Sequence, residues 1–174
     1  GILWVWGKGL RKSDLPILSI FAKQIGISLE RARLFQEVQS LALTDPLTGL
    51  HNRRSILGLG IVEFSRAHRM NRSFCCMMLD LDHFKQINDR YGHAAGDYVL
   101  QEFARIGCRT IREVDALGRW GGEEFLVVLP GTTLDVALGV VERVREAALH
   151  IKVAGFEEEL HVSLSAGLAT NEGG

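Results

Sequence analysis

Hydrophobic and polar positions follow two periods along this chain, and the switches between them predict its elements. Ile2 to Trp6 is a short apolar run closed by Gly7, which predicts a strand. A charged turn from Lys8 to Lys12 leads into Ser13-Asp14, a helix cap with Pro16 in the first turn. No proline interrupts Ile17 to Asp45, where Ile20, Ile27, Leu34 and Leu41 recur every seven residues and Phe21 and Phe35 widen the stripe. The charged Lys23, Glu30 and Glu37 argue against a simple coiled-coil seam. Two readings stay open for this helix. It packs on its own domain, or it is a connector that carries register between domains of a dimer.

Thr44-Asp45-Pro46-Leu47-Thr48-Gly49-Leu50 breaks the helix, and a second amphipathic helix is expected from Arg53 to about Met70. Phe74 to Leu79 is unbroken apolar sequence, as in a strand buried on both faces, and it ends in Asp80-Leu81-Asp82. A loop holding Gly92 and Gly96 is expected next. A helix then runs from about Asp97 to Ile111, with Val99, Leu100, Phe103 and Ile106 as its apolar face. Ala116 to Trp120 and Glu123 to Leu129 form a hairpin around Gly121-Gly122, closed by Pro130-Gly131. Thr133 to about Leu149 reads as helix and His161 to Thr170 as a last strand. The order α-β-α-β-β-α-β predicts an α+β fold: a mainly antiparallel sheet covered by helices on one face.

Composition narrows the function classes. At 174 residues and 47% apolar, the chain has globular proportions and enough length to bury a core without disulfide staples. Twenty basic against 21 acidic residues leave a formal charge of −1. No global field recruits nucleic acid or an anionic membrane. Cys75, Cys76 and Cys108 lack zinc-type spacing and are expected as buried free thiols in a reducing compartment. No apolar run reaches the roughly 18 residues of a membrane helix. The start of the chain lacks the charged head of a signal peptide. A cytoplasmic location with no membrane contact in this segment is the expectation.

The candidate chemistry lies in the carboxylates. Asp80 and Asp82 follow a buried strand, and Glu123 and Glu124 follow the Gly-Gly turn. If the hairpin pairs beside that strand, these acids converge at one sheet end. Like charges so close resist ionisation unless a cation neutralises them. Hard oxygen donors suit Mg²⁺ or Mn²⁺, with room left for phosphate oxygens. The alternative is that they cap helices or sit in solvent. A calcium loop fails because Phe84 and Lys85 fall where an oxygen ligand and a glycine belong, and no phosphate-loop pattern exists. Lys85 can stabilise developing phosphoryl charge. Asn88 and Asp97 together offer what is needed to read a guanine edge, and His93 can contact base or ribose. Singly, Asn88-Asp89 also fit a turn and Asp97 a helix N-cap.

Four blocks in order now bear on identity. They are Thr44-Asp45-Pro46-Leu47-Thr48-Gly49-Leu50-His51-Asn52-Arg53-Arg54, the stretch from Asp80 through Lys85, Asn88 and His93 to Asp97, Arg119-Trp120-Gly121-Gly122-Glu123-Glu124-Phe125, and Val162 to Gly167. From about Leu43 to Thr170 the chain resembles the GGDEF family of diguanylate cyclases, in its Gly-Gly-Glu-Glu-Phe form. The resemblance implies a palm-like, ferredoxin-like α+β domain of nucleotide-cyclase type, led by a long connector helix. It implies condensation of two GTP into cyclic di-GMP with release of two pyrophosphates. Asp80, the backbone carbonyl of Leu81 and Glu123 match the Mg²⁺ ligands. Glu123 matches the base for the 3′-hydroxyl and Lys85 the transition-state stabiliser, with Glu124 grouped beside them as catalytic. Asn88, His93 and Asp97 match substrate contacts, and Gly121-Gly122 the turn that admits the phosphates. Arg112 and Asp115, with Arg143, match an inhibitory site for the product. One site holds one GTP, so two must meet in a symmetric homodimer.

The resemblance also predicts boundaries. Family members continue past the last strand into a helix carrying a Lys and an Arg, whereas this chain ends at Gly174. The expectation is a GGDEF domain over 44–174, truncated at its C-terminus. Trp4-Val5-Trp6 and the long helix resemble the end of a GAF sensor domain, which makes 1–43 a sensor remnant. The rival reading is a catalytically weak GGDEF domain that serves as a receptor for cyclic di-GMP or GTP. A polymerase acting on nucleic acid is disfavoured by the near-neutral charge.

Overall fold

The computed structural model describes residues 11–41, 43–151 and 162–171, and the side chains of 35–41 are not among those described. The chain divides into two compact units, residues 1–42 and 43–174. The expected strand at Ile2–Trp6 lies outside the described residues. In the first unit, α1 spans Leu15–Leu41 after a short 3₁₀ turn over Lys12–Asp14. The backbone N–H of Arg11 donates to Asp14 Oδ2 at 2.8 Å, so Asp14 reaches back to close the 3₁₀ turn before α1 and does not cap α1 as expected. Helix α1 ends four residues before Asp45. Ile20, Phe21, Ile27 and Leu34 are all more than half exposed, so the seven-residue stripe is not buried within its own unit.

The second unit is an α+β fold on a five-stranded sheet. Strand β1 is His51–Asn52, β2 Phe74–Leu81, β3 Ala116–Gly121, β4 Glu124–Pro130 and β5 Leu164–Thr170. Their order across the sheet is β1-β3-β4-β2-β5, with β1 parallel to β3 and every other pair antiparallel. Helices α2 (Arg53–Met70), α3 (Phe84–Tyr91), α4 (His93–Thr110) and α5 (Leu134–Ala148) cover it. Among the described residues no helix is long and apolar enough to cross a membrane.

Strand alternation splits the core in two. Cys75, Met77, Leu79 and Leu81 of β2, with Phe125, Val127 and Leu129 of β4, point into a large core shared with α3, α4 and α5. Phe74 of β2 and Val128 of β4 point the other way, to Ile56 and Ala67 of α2. Helices therefore cover both faces, not one. The sequence of β2 required this, since a strand without polar alternation needs cover on each side. Helix α2 starts on Asn52, whose side chain accepts the Ser55 N–H at 3.0 Å, and ends on Asn71 at φ +49°. It lies so close to β3 that a Cβ on Gly118 would stand 2.5 Å from Ile56 Cβ.

Two further expectations are corrected here. The segment expected as loop before Asp97 is helical: α3 covers Phe84–Tyr91 and α4 already begins at His93, with Gly92 at φ +84° between them. Glycine there signals a break between two helices rather than a long loop. Cys108 is exposed and Cys76 half-buried, so only Cys75 is a buried thiol.

Candidate active site

Strand pairing delivers the carboxylates to one sheet end. Asp80 lies opposite Glu124 of β4 on one side and Ser165 of β5 on the other. The hairpin turns at Gly122-Glu123, one residue later than the sequence suggested, because Gly121 still pairs with Glu124 beyond a bulge at Trp120. Gly122 has φ +54° at the first central position, where a type II′ turn favours glycine. The Leu81 N–H donates to the Glu123 carbonyl at 3.3 Å, which ties the end of β2 to the turn.

The charges of these acids act on one another. The Asp80 carboxyl is pushed above its ordinary value, first by burial and then by the charges of Glu123, Glu124 and Asp82. Those three charges are all negative. Asp82 differs, for Ser165 Oγ donates to its Oδ1 at 2.7 Å. That bond, with one from Ser163, holds its carboxyl below the ordinary value against a smaller opposing effect of burial. Asp82 thus fastens β2 to β5. The Leu81 side chain is buried in the large core, which leaves only its backbone to face the site. Among the described residues, no three His, Cys, Asp or Glu side chains gather as a ligand set.

The base-contact candidates stand on α3 and α4, which follow directly from β2. Lys85 is exposed in the first turn of α3, His93 is exposed at the first residue of α4, and Asp97 is exposed one turn on. Asn88 is half-buried between the two helices. Asn88-Asp89 are not turn formers and Asp97 is not an N-cap, since all three lie inside helices. A Cβ on Gly121 or Gly122 meets nothing within 4 Å, so this chain's own packing leaves their outer face open.

Arg119 is a residue the sequence reading missed. Its Nε and Nη2 donate to the Gly122 carbonyl at 3.0 and 2.8 Å, and its Nη1 to Asp45 Oδ1 at 3.3 Å. It therefore clips the hairpin tip to the Asp45 turn. Burial opposes ionisation of Asp45, yet the Thr48 hydroxyl and N–H and the Arg119 charge hold its carboxyl below the ordinary value. The signal was present in the sequence as an arginine inside the Arg-Trp-Gly-Gly block.

The Arg112–Asp115 segment forms a fork of its own. Arg112 Nε and Nη2 donate to the two Asp115 oxygens at 3.0 and 2.7 Å, and Nη2 also donates to Thr132 Oγ1 at 2.6 Å. The Asp115 side chain is 0% exposed and that of Arg112 is 48% exposed. Arg143, on α5, donates to its own helix at the Gly139 carbonyl, 3.2 Å away. Two surface hollows flank the segment. One of 470 Å³ is lined by Leu59, Arg66, Met70 and Val114 among others, and one of 340 Å³ by His51, Cys108, Arg112 and Asp115.

Residues 42–174 match the family model described as diguanylate cyclase, GGDEF domain. The diguanylate cyclase DgcP of Pseudomonas aeruginosa is 41% identical over 138 residues, which is 79% of this chain and 21% of DgcP. Among solved structures, diguanylate cyclase SiaD of P. aeruginosa, in complex with its activator SiaC, superposes with a TM-score of 0.70 at 39% identity. That match covers 92% of this chain and 66% of SiaD. The GGDEF domain of DgcB from Caulobacter crescentus, in complex with c-di-GMP, gives a TM-score of 0.70 at 30% identity, covering 75% and 78% of the two chains. The chain spans about a fifth of the length of DgcP.

Proposed function

The chain belongs to the diguanylate cyclase GGDEF family, and from that premise we propose that it condenses two GTP into cyclic di-GMP. Each 3′-hydroxyl attacks the α-phosphorus of the other GTP. Two P–O bonds form, two bonds to pyrophosphate break, and two pyrophosphates leave. The observation that carries this reading is Asp80: a half-buried carboxyl paired across the sheet with Glu124 and one residue from the bond to Glu123, whose charges push it above its ordinary value. Such a cluster is costly in the folded chain alone and is relieved by a bound cation.

The donors present fit Mg²⁺ or Mn²⁺. Asp80 and Glu123 would supply two carboxylates and Leu81 a carbonyl, hard oxygen donors that leave the cation room for water and phosphate oxygens. That cation supplies charge neutralisation at the phosphates and a more acidic hydroxyl. Glu123, at the turn, accepts the proton of the 3′-hydroxyl, with Glu124 beside it in the sequence at the head of β4. Lys85, in the first turn of α3, balances charge developing on the phosphoryl oxygens. Gly121 and Gly122 leave room for the phosphates against backbone. Asn88 and Asp97 pair with the guanine edge and His93 lies against ribose or base.

Two copies of this site meet as a homodimer, because each holds one GTP. Product binds where Arg112 presents its exposed edge, with Arg143 as a second contact. Asp115 is already enclosed by Arg112, so in this reading it fixes the guanidinium rather than meeting the product first. Incubation of GTP and Mg²⁺ with a protein carrying this chain, followed by nucleotide separation, tests the reaction. Cyclic di-GMP and pyrophosphate in a one-to-two ratio are expected. Bound but unaltered GTP instead makes the domain a receptor.

A further inference from the structure

We propose that Gly96 is a positioning residue that sets the Asn88 carboxamide for guanine, and so governs the preference for guanine over adenine. The inference rests on the base-contact role given to Asn88 above. Gly96 is buried on α4, where that helix packs against α3. A Cβ at this position would overlap Asn88 Oδ1, stand 2.9 Å from Asn88 Cγ, and stand 3.1 Å from Phe84 Cζ. Phe84 and Asn88 are four residues apart, so Gly96 seats against two successive turns of α3.

Nothing in the local backbone asks for glycine. Gly96 is not among the positive-φ glycines, and glycine weakens a helix relative to alanine. What the missing Cβ provides is a notch filled by the end of the Asn88 side chain. Among the described residues that carboxamide makes no hydrogen bond, which leaves its donor and acceptor for a ligand. A side chain seated in a notch, with its polar atoms unspent, is placed to read a base edge.

Alanine at 96 displaces a flexible side-chain tip, so the fold should survive and the carboxamide should swing. The test is titration calorimetry with 3′-deoxy-GTP and Mg²⁺, since an analogue without the nucleophile binds but cannot condense. Gly96→Ala and Asn88→Ala are each expected to weaken 3′-deoxy-GTP on the order of tenfold, the worth of about one hydrogen bond. The weaker binding of 3′-deoxy-ATP should not move. In Asn88→Ala the notch is empty, so adding Gly96→Ala should cost nothing more. Asn88→Gln keeps the carboxamide but overreaches the notch, and is expected to lose the same guanine preference with Gly96 untouched. Additive losses in the double variant, wild-type affinity in Gly96→Ala, or wild-type affinity in Asn88→Gln overturns the inference. Unchanged affinity in Asn88→Ala overturns the base-contact role itself, and the inference with it.

Discussion

Asp80 keeps a carboxyl that burial and three neighbouring acids make reluctant to ionise, and its sign can be worked out. A folded-state value above 3.8 means the folded chain holds that proton more tightly than the unfolded one. The stability it contributes is therefore present in acid and lost as pH rises through the folded-state value. Asp80→Asn removes the repulsion and should raise the thermal midpoint at neutral pH while cutting turnover a hundredfold or more, by analogy with loss of other charge-positioning groups. A calorimetric scan beside a turnover assay checks both, and a lowered midpoint would contradict the account. Arg112 behaves in the opposite sense. Arg112→Ala strands the enclosed Asp115 carboxylate and should destabilise the fold by about 1–3 kcal/mol, so its loss of product binding is best measured beside Arg112→Lys.

The β3–α2 contact sets the geometry of the hairpin that carries Glu123. Gly118→Ala would force Ile56 aside, and denaturant unfolding should register a loss of about 1–3 kcal/mol. The next residue of the same strand carries the clip to the hairpin tip: Arg119→Ala should lower turnover while leaving most of the fold, because it frees the Gly122 carbonyl and the Asp45 turn. Its partner Asp45 contributes stability above the unfolded value of 3.8 that is lost as pH falls through the lower folded value.

At this scale the sequence was largely legible, because long periodic segments announce themselves. The apolar run of β2, the hairpin, α2 and α5 all stand close to where the pattern put them, while α4 begins four residues early, at His93. Helix α3 escaped because it is short and polar on average and its end at Gly92 looked like loop, although Phe84, Ile87 and Tyr91 recur at helical spacing. The two-residue β1 is set by pairing with Gly118 and Arg119, which no local pattern encodes. The carboxylates were legible for a physical reason, since acids at the end of a buried strand need explaining. The Arg119 clip showed only as an arginine in its block and the Gly96 notch not at all, because both depend on which segments the fold brings into contact.

For the whole molecule, the condensation proposed above joins one GTP from each of two domains, so turnover per chain should fall on dilution below the dimer dissociation constant. Sedimentation measured over the same concentrations checks whether mass and activity fall together. The central claim is that Glu123, carried to Asp80 by the hairpin, takes part in joining the two nucleotides. Its most direct test compares cyclic di-GMP formation by the wild-type protein and Glu123→Gln at matched GTP and Mg²⁺, with both shown to be folded by circular dichroism. The account predicts cyclic di-GMP from the wild type and none above background from the variant. Equal production by the two would contradict it.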